Sequence, residues 1–410
     1  MLSISNYVSF GLLFLFLQNV GANESPQLEA VFVVIRHGDR TPTSFYPNDP
    51  FRNESFWPEG VGELNQAGIQ RMSQAGLLYR KTYSQFLNET KGWPIYVKSS
   101  IRKRTIDSVE LFLKSFLEND KVNVSEMVKL DQKMLTTTYK CDKSNQAWLQ
   151  FFSSKTVTDY INSKNEGIKY LEEKTGDKYL DQFPFILRNL EFLATTLEIE
   201  RDEYHLNVPE WARNKSTIDL MSDLKKHAYL FDWQIPTVQR FRVGPLLGDI
   251  TSIMWQIIHE NGFANKQRFY LYSTHDVNQV VLLQSLGLYD QIGLWPTSYS
   301  SAIVFELYHQ KEQYYVRTLY REIPLDSTLS DGHYVLRDTP LNITSCNDFS
   351  WTFDSTQTSE SLCSHKRFQT LIAGKVPRDY DKECRTSSAE YTSVSWAVTF
   401  IVLLFTYLHQ

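Results

Sequence analysis

The chain predicts an α/β fold in which one core of alternating strands and helices is interrupted by a mainly helical insertion. Three observations support this. Apolar, β-branched runs of strand length recur towards both ends of the sequence. Stretches with helical spacing alternate with them. Between about Lys140 and Gly244 strand patterns are few, and the polar and aromatic residues there fall at helical spacing. The expected organisation is a discontinuous core over 23–139 and 245–386 and a helical cap over 140–244. Targeting segments flank these at 1–22 and 387–410.

Taken in order, Val31-Phe-Val-Val-Ile35 is the pattern of a strand buried on both faces. It runs straight into Arg36-His-Gly-Asp-Arg40-Thr-Pro42. Leu64 to Tyr83 reads as a helix and Ile95-Tyr-Val-Lys98 as a second, short strand. Arg104 to Leu117 is helical again, with Ile106, Val109, Leu113 and Leu117 on one stripe. Arg268-Phe-Tyr-Leu-Tyr272 is a third strand that ends in Ser273-Thr-His275-Asp276 and an apolar helix near Val277 to Leu286. Ala302 to Tyr308 and Tyr314 to Tyr320 form a late strand pair.

The 410 residues are 42% hydrophobic and 14% aromatic, ample for one large core or two smaller ones. Lys and Arg number 42 against 47 Asp and Glu, a net charge of -5 with no basic block. Nucleic-acid binding, which needs clustered cations to displace counterions, is excluded on that ground. The apolar run Val8 to Leu17, followed by small residues at Val20 and Ala22, has the shape of a signal peptide cleaved after Ala22. Glycosylation sequons at Asn23, Asn53, Asn88, Asn123, Asn214 and Asn342 agree with export. So do Cys141, Cys346, Cys363 and Cys384, an even set without CxxC spacing that implies two disulfides in one of three pairings. Towards the C-terminus, Ser387, Ser388 and Ala389 precede a polar spacer and an apolar tail from Val394 to Leu408. That order suggests a GPI-attachment signal, with a short transmembrane anchor as the alternative.

The chemistry concentrates at three strand ends. Ligands of open α/β sheets bind at the carboxyl ends of strands, so Arg36 and Arg40 would face a crevice with forked donors suited to phosphate oxygens. Gly38 allows close backbone approach there. A histidine among fixed cations is disfavoured as imidazolium, which keeps His37 nucleophilic in mild acid. Arg104 would add a third cation from the start of a helix. His275 and Asp276 follow the third strand, and an Asp beside bound phosphate has its pKa raised, which suits a proton donor to a leaving alkoxide. Taken singly, an Arg-His pair, an arginine opening a helix or a His-Asp dipeptide is ordinarily structural; the functional reading rests on all three following strands.

Arg36-His-Gly-Asp-Arg-Thr-Pro42 resembles the RHGxRxP signature of the histidine acid phosphatases, and Ser273-Thr-His-Asp276 resembles their distal His-Asp element. Leu64-Asn-Gln-Ala-Gly68 with Gln70-Arg-Met72 is similar to the family's first core helix, and Val243-Gly-Pro-Leu-Leu247 to its Gly-Pro-Leu segment. Arg104-Thr105 stands where the family carries its third phosphate-binding arginine, and Cys363, Arg367-Phe368 and Cys384 resemble the C-terminal region of the prostatic, lysosomal and venom members. The likeness runs from about Leu28 to Cys384. It implies a three-layer, phosphoglycerate-mutase-like α/β sandwich with an inserted helical cap. It also implies His37 as the nucleophile that becomes phosphohistidine, and Asp276 as the acid. Arg36, Arg40, Arg104 and His275 would bind the phosphoryl oxygens. Neither metal nor cofactor is implied, and the implied disulfides are Cys141–Cys384 and Cys346–Cys363. Ile101-Arg-Lys103 departs from the acidic residues usual before the third arginine.

The expected activity is hydrolysis of phosphate monoesters at acidic pH, outside the cell or on its surface rather than in the lysosome. A phytase or lysophospholipid phosphatase is the alternative within the enzyme class, and a non-catalytic binder of phosphate or lipid ligands the alternative outside it. Partners consistent with this reading are a small phosphomonoester, a membrane contacted through the C-terminus and a second copy of the chain. HExxH, GxSxG and GxxxxGK[ST] patterns are absent, which argues against zincin, serine hydrolase and P-loop chemistry.

Overall fold

The computed structural model describes residues 25–89, 95–118, 123–136, 139–259, 267–293, 296–323, 335–343, 346, 348–353 and 359–385. The expected signal peptide, Asn23 and the C-terminal apolar run lie outside these residues.

Strand β1 (Gln27–Arg36) is followed by helix α1 (Gln66–Thr82), strand β2 (Ile95–Ser99), helix α2 (Lys103–Leu117) and the short β3 (Val128–Leu130). Every described element between there and β4 (Phe269–Thr274) is helical, including α3 (Ile186–Glu198), α4 (Lys215–Trp233) and α5 (Gly244–His259). Then come α6 (Asp276–Ser285), β5 (Ala302–Gln310), β6 (Gln313–Glu322), β7 (Arg337–Pro340), β8 (Phe349–Trp351), β9 (Glu360–Ser364) and α7 (His365–Ala373). The strands that sequence reading did not register, β3 and β7 to β9, are three to five residues long and mostly lie towards the surface. They lack the apolar run that marks a central strand.

The described strands form one sheet in the order β3-β2-β4-β1-β5-β6-β9-β8, with β7 also pairing β6. Strand β4 runs parallel to both neighbours, with Arg36 opposite Thr274 and Ser99 opposite Ser273. Three carboxyl ends therefore stop at one edge, where Ser100, His275 and His37 follow. The helices that follow the neighbouring strands β1 and β4 lie on opposite faces of the sheet, which leaves a crevice at that edge.

Alternation along β1 assigns each face its layer. Val31, Val33 and Ile35 pack with Met72, Ala75 and Tyr79 of α1 and Val109 and Phe112 of α2. Ala30, Phe32 and Val34 pack with Leu246, Ile250 and Met254 of α5 and Val280 and Leu283 of α6. With both faces covered, the strand is apolar at every position, and the architecture is the expected three-layer sandwich. The helical stretch has an apolar core of its own, in which Leu187, Leu190 and Leu224 meet Tyr46 from the loop after β1. Cys141–Cys384 and Cys346–Cys363 are disulfides, so the described cysteines have no free thiol.

Candidate active site

His37 is the first residue past β1, and the backbone turns sharply there over the start of α1. A Cβ on Gly38 would lie 2.7 Å from the Gly68 carbonyl oxygen, and one on Gly68 would lie 2.2 Å from that of Asp39. Any side chain at either position would push the loop off the helix. Asn65 caps α1 by accepting the Gly68 N–H at 2.8 Å, while its own N–H donates to the Asp39 carbonyl at 3.0 Å. Asp39 pairs with buried Arg71 at 3.1 Å, which anchors the loop from beneath.

This anchoring orients the imidazole. His37 Nδ1–H donates to the Gly38 carbonyl at 2.8 Å, which leaves Nε2 as the unprotonated nitrogen. Arg104 Nε–H donates to that Nε2 at 3.1 Å. Burial, and after it the charges of Arg104, His275, Arg36 and Arg40, hold the His37 pKa well below the usual histidine range. Burial is a larger cause than the neighbouring cations expected from the motif.

The other expected residues converge on the same place. Arg40 is buried and, among the described residues, donates only to the Thr41 carbonyl at 2.9 Å. Burial, with Arg40 next, pushes Arg104 down to about 10. His275 stands at the N-cap position of α6, and its Nε2 lies 2.9 Å from Ser100 Oγ, which in turn meets Thr105 Oγ1 at 2.8 Å. Burial and Arg104 push its pKa down to about 3, so the ring is neutral in mild acid. Asp276 pairs with Arg36 at 2.7 Å. Burial raises its pKa, but Arg36 and after it Arg40 outweigh burial and hold it below the usual carboxylate range. The upward shift expected from sequence requires a bound phosphate to offset these cations. Helices α2 and α6 both start at this edge, so their N-termini add partial positive charge. A cavity of about 430 Å³ lined by His37, Arg40, Arg104, His275 and Asp276 opens here. It can hold a tetrahedral anion against Nε2, with cations around the anion and a carboxyl beside it.

The family model for the histidine phosphatase superfamily (branch 2) matches residues 27–321, most of the chain and all of this edge. The chain belongs to that superfamily. Its relatives include human prostatic acid phosphatase, 25% identical over 406 residues and covering 95% of this chain and 96% of that one. Rat lysosomal acid phosphatase is 26% identical over 383 residues, with 89% and 82% covered. The venom acid phosphatase of Apis mellifera is 28% identical over 318 residues, with 72% and 77% covered. The phytase of Hafnia alvei superposes with a TM-score of 0.66 at 17% identity, covering 89% of this chain and all of that one, and shows the shared fold. The chain is thus a histidine acid phosphatase by family, and the motif resemblance that suggested it holds.

Several site residues of this histidine phosphatase escape sequence reading. Tyr299 lies 3.8 Å beneath the Arg36 guanidinium carbon, measured to the ring centre, and 5.8 Å from the His37 ring. Burial raises its pKa to about 12. Its loop is stitched to the end of β1: Arg36 Nη1 donates to the Thr297 carbonyl and Ser300 N–H to that of His37 at 3.1 Å. Gln279 Nε2–H₂ bridges the Val34 and Ser301 carbonyls at 2.9 and 2.8 Å. Nothing local in Thr297-Ser-Tyr-Ser-Ser301 signals this role; only the antiparallel pairing of β5 with β1 brings it there. Ser100 was findable, since it follows β2 just as His37 follows β1.

Proposed function

We propose that this chain hydrolyses phosphate monoesters at acidic pH through a phosphohistidine on His37. The observation that carries the reading is the oriented His37 ring, with Nδ1 committed to Gly38 and Nε2 facing a ring of arginines. Arg36, Arg40, Arg104 and His275 would hold the phosphoryl oxygens and stabilise charge developing in the transition state. Arg104 would leave Nε2 for the phosphate as substrate enters. His37 Nε2 then attacks phosphorus, the bond to the ester oxygen breaks, and Asp276 gives that oxygen its proton. Water hydrolyses the phosphohistidine with Asp276 taking a proton back, releasing phosphate. Asp276 is held low in the free enzyme, so the negative charge of the substrate would raise its affinity for a proton, which it takes up from the acidic solvent before giving it to the ester oxygen.

The test is hydrolysis of p-nitrophenyl phosphate by residues 23–386 from pH 3 to 9 in EDTA, with His37→Ala alongside. An acid optimum indifferent to chelator and lost in the variant supports the reading. A folded but inactive parent overturns it.

The core over 23–139 and 245–386 and the cap over 140–244 remain our proposed domains, with the cavity between them as the substrate mouth. We also propose export with N-glycosylation, for which the exposure of Asn53, Asn88, Asn123, Asn214 and Asn342 is the support. Among the described residues no helix is long and apolar enough to cross a membrane. Attachment would then use the C-terminal segment, and a homodimer belongs to the same proposal. Release by a phosphatidylinositol-specific phospholipase tests the former and sedimentation the latter.

A further inference from the structure

Two arginines that line the His37 cavity have no part in the proposed mechanism. Arg102 and Arg188 make no ion pair or side-chain hydrogen bond among the described residues. They come from different walls. Arg102 precedes α2 on the sheet side, close enough to Arg104 and His275 to disfavour their protonation. Arg188 lies in the first turn of α3, its guanidinium carbon 6.0 Å from the Phe192 ring centre, and it is one of the cations acting on Asp232.

Arginines outnumber carboxyl groups in the cavity lining. Three carboxyl groups line the cavity, Glu191, Asp232 and Asp276. Asp276 is committed to Arg36 at 2.7 Å. Asp232 accepts the Trp148 indole N–H at 2.8 Å, and Glu191 accepts the Thr195 hydroxyl at 2.9 Å. One phosphoryl group at His37 would engage Arg40 and Arg104, and Arg102 and Arg188 would still face the cavity without a salt bridge among the described residues. The volume of about 430 Å³ lies in the range of sites that enclose a whole small molecule rather than one phosphate. Val61 and Phe192, 37% and 38% exposed, supply apolar contact for a short carbon skeleton between two anions.

We infer that Arg102 and Arg188 form a second anion subsite at the cavity mouth, and that monoesters carrying a second phosphate group are preferred over those carrying one. The inference rests on the phosphatase reading and deepens it to a substrate class.

Its test is the ratio of kcat/KM for fructose 1,6-bisphosphate over fructose 6-phosphate at pH 5 and fixed ionic strength. The parent is compared with Arg102→Gln, Arg188→Gln and the double variant, each checked by thermal melting. A ratio uses each protein as its own control, so losses common to both substrates cancel. The parent should favour the bisphosphate by roughly tenfold or more, the equivalent of about 1.4 kcal/mol. Each single variant should lower the ratio, and the double variant should bring it to about two, the statistical value for two scissile groups. A parent ratio of about two, or a ratio unchanged in the double variant, overturns the subsite. Hydrolysis of p-nitrophenyl phosphate by the parent separates the two failures: activity with a ratio of two removes the subsite alone. Should the parent be inactive, calorimetric titration with pyrophosphate and orthophosphate decides. Pyrophosphate must then bind the parent roughly tenfold tighter, and that advantage must vanish in the double variant, or the subsite falls too.

Discussion

Buried and half-buried arginines occur in two clusters two strands apart in the same sheet, and they are balanced in opposite ways. On β6, Arg321 is bidentate to Asp338 at 2.6 and 2.7 Å and also donates to Tyr83 at 3.0 Å. Arg317 is bidentate to Glu360 at 2.6 Å and reaches Glu306 at 2.9 Å. At the carboxyl edge of β1, Arg40 has one backbone carbonyl and Arg104 one imidazole nitrogen. The first cluster satisfies its charges internally and has no capacity for a ligand. The second is left short of anions, which costs stability and reserves its donors for phosphate. Residue type and burial are alike; the supply of carboxylates separates structure from function.

Removing the nucleophile should have the largest effect. His37→Ala is expected to lower kcat by about 10⁴-fold or more while leaving the melting temperature near the parent's, as thermal melting and turnover together would report. Arg321→Met should do the reverse, destabilising by about 1–3 kcal/mol in urea titration because it removes the hydrogen bonds to buried Tyr83 and to Asp338, with turnover per folded molecule retained. If both substitutions cost activity alone, the contrast between the clusters collapses. Asp276→Asn should slow alkyl phosphates by about 10²–10⁴-fold and p-nitrophenyl phosphate much less, since a phenolate needs little protonation. Equal slowing would remove the acid role. Arg40→Gln sharpens the comparison most directly. It should cut kcat/KM by about 10²–10³-fold yet raise stability by about 0.5–2 kcal/mol, opposite in sign to Arg321→Met.

The smallest effect concerns a third balance of charge. Burial, with Asp49 beside it, pushes Glu200 up to about 9, above the ordinary carboxyl value. A raised carboxyl pKa means the fold favours the protonated form. This contribution is therefore complete below the ordinary value near 4.3 and is lost as pH climbs towards 9. Glu200→Gln should leave the melting temperature unchanged at pH 4 and raise it by a few degrees at pH 8. No difference at pH 8 would show that the pair is not a source of alkaline lability.

Much of this was legible in the sequence because it depends on local pattern. Val31 to Ile35 must be apolar at every position in a strand covered on both faces, and the residues that follow such a strand face a crevice. That reasoning reaches Arg36, His37, Arg40, His275 and Asp276 without coordinates. Arg104 was legible as a helix start. The short strands were not, because β3 and β7 to β9 bury too few side chains to leave a period. Tyr299 was not, because a tyrosine in a serine-rich loop has no local mark of what lies above it.

Local pattern sets the strand-end chemistry, the glycine at position 38 that lets the His37 loop rest on α1, and the unbroken apolar run that marks a strand covered on both faces. Each of these is a property of a few neighbouring residues, so it survives without long-range information. Tertiary structure alone decided which nitrogen of His37 is free, that Arg36 is committed to Asp276, and that Arg102 and Arg188 share a cavity though 86 positions apart by their numbering. Hydrogen-bond direction, burial and the balance of charge depend on what the rest of the chain brings within a few ångströms, and that is set only when the sheet closes.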